Sequence, residues 1–293
     1  MTTPQLYILW DPDLYIFRIG SWGLRWYSTC WLIGLVGAYF MVKWLFYDQN
    51  IAVRTIKKAG KKVEENVFEP LFIYCFLGIL IGARLGHCIF YQPDYFLSSA
   101  DHFIEMLLPI HHMADGSWKF VGYEGLASHG GTLGLMIALW IYSRKMGVKL
   151  WTVLDNIAIA TPITACFIRL GNLMNSEIIG KVTDVPWAFI FEHVDQYPRH
   201  PGQLYEAIAY ALFFFVGWYF YRKAKRPVGQ GFYFGLCITL IFTFRFFIEY
   251  TKDIQVDFES GMLFNMGQIL SVPFVLLGAY CMWRAVKSQA AKA

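Results

Sequence analysis

Charged residues are scarce in this chain, at 16% of 293, where ordinary soluble domains carry roughly 25%. Hydrophobic residues reach 57%, and together the two figures argue against a soluble fold. No basic n-region and no long apolar core precede Arg18, and Asp11 and Asp13 interrupt the start, so no cleavable signal peptide is expected. The six cysteines (Cys30, Cys75, Cys88, Cys166, Cys237, Cys281) never stand in C-x-x-C spacing, which argues against a disulfide framework or a zinc site and favours buried free thiols. There is no internal repeat of the kind that marks an inverted-repeat transporter. The Ser/His, paired-Asp and H-E-x-x-H arrangements of intramembrane proteases are missing as well. The net charge of +4 is small and says little about partners, and no nucleic-acid partner, metal or cofactor is expected.

What the chain does have is length in apolar runs. Seven segments, at about 22–45, 68–91, 126–143, 152–171, 203–221, 230–250 and 266–284, approach the ~20 apolar residues that a bilayer core requires of a helix. The fourth is interrupted by Asp155, Asn156 and Pro162. Aromatic residues make up 19%, which suits Trp and Tyr belts at two membrane interfaces. Basic residues fall on alternate connections: Lys43, Arg54, Lys57, Lys58, Lys61 and Lys62, then Arg144, Lys145 and Lys149, then Arg222, Lys223, Lys225 and Arg226, then Arg284, Lys287 and Lys292. These are 16 of 25, and the intervening connections carry the acids Asp94, Asp101, Glu105, Asp115, Asp184, Glu192, Asp195, Asp253, Asp257 and Glu259. Because cytoplasmic loops retain Lys and Arg, the N-terminus is expected outside and the C-terminus in the cytoplasm. The expected fold is all-α and integral to the membrane, a seven-transmembrane-helix bundle forming one polytopic domain over 1–293, with 172–202 as a small extracytoplasmic cap.

Ionisable groups inside apolar helices cost at least ~2.5–3.5 kcal/mol each at mid-membrane, so each one needs a partner or a purpose. Arg84 sits in Gly78-x-x-x-Gly82-x-x-x-Gly86, a row that favours close helix approach; both a packing and a functional role are open to it. His129 begins Ser128-His129-Gly130-Gly131; it is either a satisfied structural histidine or a proton-transfer group with bare backbone beside it. Arg169, Asn172, Asn175 and Glu177 fall within nine residues, and on a helix the first three share a face, although Gly171, Ser176 and Gly180 equally allow a looser turn. Gln203 and Glu206 share a face at the start of the fifth segment, while Arg245 and Glu249 are spaced i, i+4 and admit simple mutual pairing. Most of these groups fall toward the outer leaflet. Planar guanidinium groups there suit a lipid phosphate, so the residues point to a site for an anionic lipid with a possible proton-transfer histidine.

The run R-L-G-N-x-x-N-x-E-x-x-G at 169–180 closely resembles the signature of the phosphatidylglycerol–prolipoprotein diacylglyceryl transferases. Trp26-Tyr27, Gly82-x-Arg84-x-Gly86, His129-Gly130-Gly131, Arg199-His200-Pro201-x-Gln203-Leu204-Tyr205-Glu206, Arg245 with Glu249, and Met266-Gly267-Gln268-Ile269-Leu270-Ser271 occur in the same order. The resemblance implies an enzyme of the bacterial inner membrane that moves the diacylglyceryl group of phosphatidylglycerol onto the lipobox cysteine of a prolipoprotein signal peptide. A thioether forms and glycerol phosphate leaves. It further implies Arg169 and Arg245 as phosphate-handling residues and His129 as the suspected base or a residue shaping the site. Tyr27, Arg84, Asn172, Asn175, Glu177, Glu206 and Glu249 are expected to line or brace the site, membrane lipids surround it, and the protein is expected to be a monomer. Ile168 and Ser176 stand where the family usually has Gly, Ser128 where an aromatic often precedes the histidine, and Arg25 where His is frequent; the 92–122 connection is longer than typical. The competing classes are a phospholipid-binding transporter and a lipid-sensing membrane protein without transferase activity.

Overall fold

The computed structural model describes residues 7–20, 22–58, 61–113, 116–122, 125–253 and 263–290; Asp115, Asp257, Glu259 and Lys292, counted in the charge asymmetry, lie outside them. In chain order come strands β1 (Ile8–Trp10), β2 (Tyr15–Ile19) and β3 (Trp22–Arg25), helix α1 (Trp26–Asp48), and the hairpin β4 (Val53–Lys58) and β5 (Lys61–Asn66). Next are α2 (Phe68–Phe90), the short helices α3 (Pro93–Phe96) and α4 (Ala100–Leu107), and the hairpin β6 (Ile110–His112) and β7 (Trp118–Phe120). Then follow α5 (Ser128–Met146), α6 (Leu150–Met174), β8 (Phe189–Phe191), β9 (Pro198–Arg199), α7 (Gly202–Arg222), α8 (Phe232–Ile248) with a 3-10 turn at Glu249–Thr251, and α9 (Met266–Ala290).

A long helix lies at each of the seven apolar segments. Six of them, Trp26–Asp48, Phe68–Phe90, Leu150–Met174, Gly202–Arg222, Phe232–Thr251 and Met266–Ala290, are long and apolar enough to cross a membrane. α5 falls short because Ser128, His129, three glycines and Thr132 open it and Arg144 and Lys145 close it. Leu32, Phe40, Ile73, Phe76, Leu212 and Leu276 are exposed on these helices, which lipid tolerates and water does not. The first apolar run splits, since Trp22–Arg25 pairs with Tyr15–Ile19 as a hairpin before α1 begins. An apolar run alone does not distinguish strand from helix.

Described residues up to Leu45 and from Leu154 onward form one compact unit, and Phe46–Val153 a second. In the first, α1 lies on α6 at Gly34, where an added Cβ would stand 3.1 Å from Thr164 Cα, and Thr164 Oγ1 donates to Gly34 O at 3.0 Å. The polar residues expected to interrupt the fourth segment do not break α6. Thr161 Oγ1 donates to Ile157 O at 2.9 Å beside the carbonyl that Pro162 leaves without its helical donor. Asp155 is fully buried, and its carboxylate accepts N–H bonds from Gly229, Gln230 and Gly231 at 2.8, 3.1 and 2.9 Å and from Phe234 at 2.9 Å. It thus caps the start of α8 from another helix, where Gly231 (φ 89°) has no side chain to do so. Leu45, Ile159, Phe232, Tyr233 and Cys237 pack around that junction. The segment between α6 and α7 folds with the N-terminal strand: β8 pairs parallel with β1 and antiparallel with β9. Trp10 Nε1 donates to Leu173 O at 2.9 Å, and Leu173, Phe189 and Phe191 form the core that seats this small sheet at the end of α6.

In the second unit, α2 packs on α5 through glycine. An added Cβ on Gly86 would stand 2.7 Å from Gly130 Cα, and one on Gly82 would stand 2.8 Å from Gly134 Cα. The row in α2 therefore serves helix approach, and it meets a second glycine row rather than bulky side chains. All six cysteines are free thiols.

Asp155→Ala strands four N–H groups of the α8 start in an apolar core, where each unmade bond costs about 1–3 kcal/mol. The purified variant is expected to melt well below the parent, and Asp155→Asn, whose amide oxygen still accepts, between the two. An unchanged melting temperature for Asp155→Ala contradicts the capping role.

Candidate functional site

The end of α6 sets the site. Arg169 and Asn172 are one turn apart on it, and the helix continues to Met174 before turning. It closes as a Schellman motif, with Ser176 N–H donating to Leu173 O at 3.1 Å and Glu177 N–H to Asn172 O at 3.0 Å. That motif needs a left-handed residue, and Ser176 takes it at φ 54°. The glycine usual there would fit without a Cβ penalty, so this chain accepts a serine at some conformational cost. Ile178 also has positive φ, at 56°, which a β-branched residue adopts only when its surroundings over-determine it.

The turn aims three polar side chains at one another. Asn172 Nδ2 and Asn175 Nδ2 each donate at 3.1 Å to a different oxygen of Glu177. Arg169 Nη1 lies 3.4 Å from Asn172 Oδ1, a weak bond, and its Nε stands 2.9 Å from Glu206 Oε2 in an ion pair angled away from a linear hydrogen bond. Glu206 comes from the first turns of α7 and is wholly buried; Gln203, one turn before it, donates from Nε2 to Glu177 O. The other Glu206 oxygen accepts from Lys252 Nζ at 3.1 Å, with Tyr210 Oη at 3.5 Å. Lys252, 6% exposed, also donates to Glu249 Oε1 at 3.1 Å. Glu249 Oε2 accepts from Asn265 Nδ2 at 3.2 Å.

Arg245 completes the set but is held loosely. Its Nε is 3.7 Å from Glu249 Oε1, with no hydrogen-bond partner among the described residues, and its side chain is 42% exposed. The i, i+4 spacing therefore yields proximity without a tight pair. Backbone glycines make these approaches possible. A Cβ on Gly267, at the start of α9, would stand 2.7 Å from Glu249 Cδ, and one on Gly180 would stand 2.5 Å from His200 O and 2.7 Å from Thr251 O. At Gly180 three strands of backbone meet: Gly180 N–H donates to His200 O at 3.0 Å and Lys181 N–H to Thr251 O at 2.8 Å. Arg199 straps the same junction, with bonds to Asp195 Oδ1 at 3.1 Å, Gly180 O at 3.1 Å and Asp253 Oδ2 at 3.0 Å. The Arg199 hydrogen bonds hold the Asp195 carboxyl below its ordinary pKa, and burial lowers that of His200.

Of the residues singled out in the sequence, Arg169, Asn172, Asn175, Glu177, Glu206, Arg245 and Glu249 converge in this one network. Tyr27, at the start of α1, packs on the same stretch of α6, where a Cβ on Gly171 would stand 3.0 Å from its ring. Arg84 and His129 belong to the second unit. Arg84 is 8% exposed; its guanidinium donates to Glu105 O at 2.8 Å and Met106 O at 3.3 Å and lies 4.8 Å from the Phe96 ring, so it anchors the segment after α2. His129 is exposed in the first turn of α5. The two glycines after it differ in use: Gly130 takes part in the helix contact, whereas a Cβ on Gly131 would meet nothing closer than 3.4 Å. Sequence reasoning missed Lys252. A lone lysine three residues after Glu249, on a connection otherwise poor in basic residues, was the available signal.

Three cations and three carboxylates thus share one network, with Glu206 and Lys252 buried and Glu177 exposed, and guanidinium N–H groups of Arg169 and Arg245 are left over among the described residues. Such donors suit an anionic, phosphate-bearing group approaching from an interface. A family model described as prolipoprotein diacylglyceryl transferase matches residues 14–284. The chain is similar to the phosphatidylglycerol–prolipoprotein diacylglyceryl transferase of Bacteroides fragilis, with 55% identity over 292 residues covering 100% of both chains. It is also similar to the proteins of that name from Tolumonas auensis, at 38% identity covering 97% of this chain and 99% of the relative, and from Porphyromonas gingivalis, at 37% covering 98% of each.

Gly180→Ala is expected to destabilise the protein by roughly 1–3 kcal/mol, the usual cost of overpacking, read as a lower melting temperature. A variant that melts with the parent would show that the three backbone segments do not meet as closely as described.

Proposed function

The chain belongs to the prolipoprotein diacylglyceryl transferase family, and from that premise we propose that its buried arginine–carboxylate network is where the phosphate of phosphatidylglycerol is held while the diacylglyceryl group moves to a prolipoprotein. The activity is that of a phosphatidylglycerol–prolipoprotein diacylglyceryl transferase. In the reaction the thiol of the lipobox cysteine loses its proton, because the thiolate is the nucleophile. Its sulfur attacks the glyceryl carbon that bears the phosphate ester. A C–S thioether bond forms, the C–O bond breaks, and glycerol phosphate departs with the electron pair.

The observation that carries the site assignment is the spare donor capacity of Arg169 and Arg245. Glu206 engages Arg169 through Nε, Asn172 and Tyr210 contact the same guanidinium weakly, and among the described residues Arg245 makes a 3.7 Å contact to Glu249, so donor capacity remains for phosphate oxygens. Preorganised cations of this kind stabilise charge that develops on the leaving phosphate ester. Asn172, Asn175 and Glu177 brace Arg169 at the helix end, and Glu206 and Glu249 fix the charge balance. Tyr27 lines the approach along α6. His129, exposed in the first turn of α5, is assigned by resemblance to the incoming thiol, as base or in shaping its path. Arg84, assigned by resemblance to lipid binding, braces the segment that follows α2. A transporter or lipid sensor finds no support among the relatives.

We further infer that α5 is the seventh membrane span, that 172–202 with β1 forms an extracytoplasmic cap, and that the chain sits as a monomer in the bacterial inner membrane with its N-terminus outside and its C-terminus in the cytoplasm. The alternation of basic connections supports the orientation.

Arg169→Ala and Arg245→Ala are each expected to lower turnover of phosphatidylglycerol by a factor on the order of 10²–10³ or more. Lys252 still bonds to Glu206 and Glu249 in either variant, and turnover is compared per folded protein. Near-normal rates in a folded variant would remove the phosphate assignment from that arginine.

A further inference from the structure

Lys252 bonds to two carboxylates, and each of those carboxylates faces one of the two arginines. Glu206 Oε1 takes Lys252 at 3.1 Å while its Oε2 faces Arg169 Nε at 2.9 Å. Glu249 Oε1 takes the same ammonium at 3.1 Å, with Arg245 Nε farther off at 3.7 Å, and Glu249 Oε2 takes Asn265 at 3.2 Å. An arginine and a glutamate one helical turn apart can close into a hydrogen-bonded pair. Here the pair stays open at 3.7 Å while the shared oxygen holds the nearer ammonium. The ammonium is 6% exposed and is therefore a fixed part of the interior.

We propose that Lys252 is a positioning residue of the transferase: by holding Glu249 and Glu206 it keeps Arg245 from collapsing onto Glu249 and so leaves its guanidinium free for the lipid phosphate. Lys252 itself touches no reacting atom. It acts through Arg245, and the inference rests on the assignment of Arg245 to the phosphate. The compact ammonium of Lys252, with three rotatable donors, reaches both carboxylates at once.

Without Lys252 the nearest cation to the freed Glu249 oxygen is Arg245, and the two should form an ion pair that the phosphate must break. Lys252→Met is therefore expected to weaken binding of dioleoyl phosphatidylglycerol to the detergent-purified full chain by about tenfold or more. Adding Glu249→Gln to Lys252→Met removes the competing charge, so the double variant should bind the lipid more tightly than Lys252→Met alone. A purely structural role predicts the opposite order, because a second substitution in a damaged network only adds damage. Lys252→Met that binds the lipid like the parent, or a double variant no better than the single, overturns the proposal. Should Lys252→Met not fold, Lys252→Arg, which keeps the charge, decides the matter: binding within a few-fold of the parent supports the role, and a loss beyond about tenfold overturns it. Arg245→Ala in the same assay separates the two claims. If it binds normally, the phosphate assignment fails; if it does not bind while Lys252→Met does, only the role of Lys252 fails.

Discussion

Arg169, Glu206, Lys252 and Glu249 alternate in sign along one buried chain of contacts at 2.9, 3.1 and 3.1 Å, with Arg245 at its loose end. Each of these charges would be costly alone among apolar helices. Together they offset one another, and the network is tolerable because its buried members are held at bonding distance. That condition explains much of the local structure. Bare glycines at 180 and 267 admit backbone and carboxylate where a Cβ would clash. Asn172, Asn175 and Asn265 supply neutral donors that carry no further charge. The Schellman turn at Ser176 brings Glu177 back over the end of α6.

A balanced network that bound nothing would be an expensive way to join helices, since well-packed apolar residues do that as well or better. On the proposed reading the functional gain lies in the donors left over. Arg169 is braced and Arg245 is not, so one guanidinium is fixed and the other can adjust to its ligand. On that reading, a lipid phosphate entering at the interface finds both, and the departing glycerol phosphate carries its new charge into a site already arranged for it. The attacking sulfur comes with the substrate, and no thiol of this chain is required.

Much of this was readable in the sequence, and the parts that were not share a physical reason. Charges inside apolar runs are costly wherever they stand, so Arg169, Glu206, Arg245 and Glu249 announced themselves without any coordinates. Helix positions followed from length and hydropathy for the same reason. Lys252 escaped notice because it follows the apolar run, where a lysine looks solvated, and only the fold shows it turned inward. Asp155 looked like an interruption because its role is to cap a helix some 75 residues away, a contact no local pattern contains. Strand β3 falls inside the first expected helix because its apolar residues satisfy either geometry. The two units also divide the proposed site residues: the set assigned to the phosphate can be described as one network, whereas His129, in the other unit, is assigned by resemblance.

The most direct test reconstitutes the purified chain with phosphatidylglycerol and a synthetic lipobox peptide, and follows the peptide by mass spectrometry and glycerol phosphate by its release. The account predicts that the cysteine peptide gains one diacylglyceryl group for each glycerol phosphate released, and that a peptide with serine in place of the cysteine gains none. Absence of both products with the intact, folded protein would contradict the transferase reading outright.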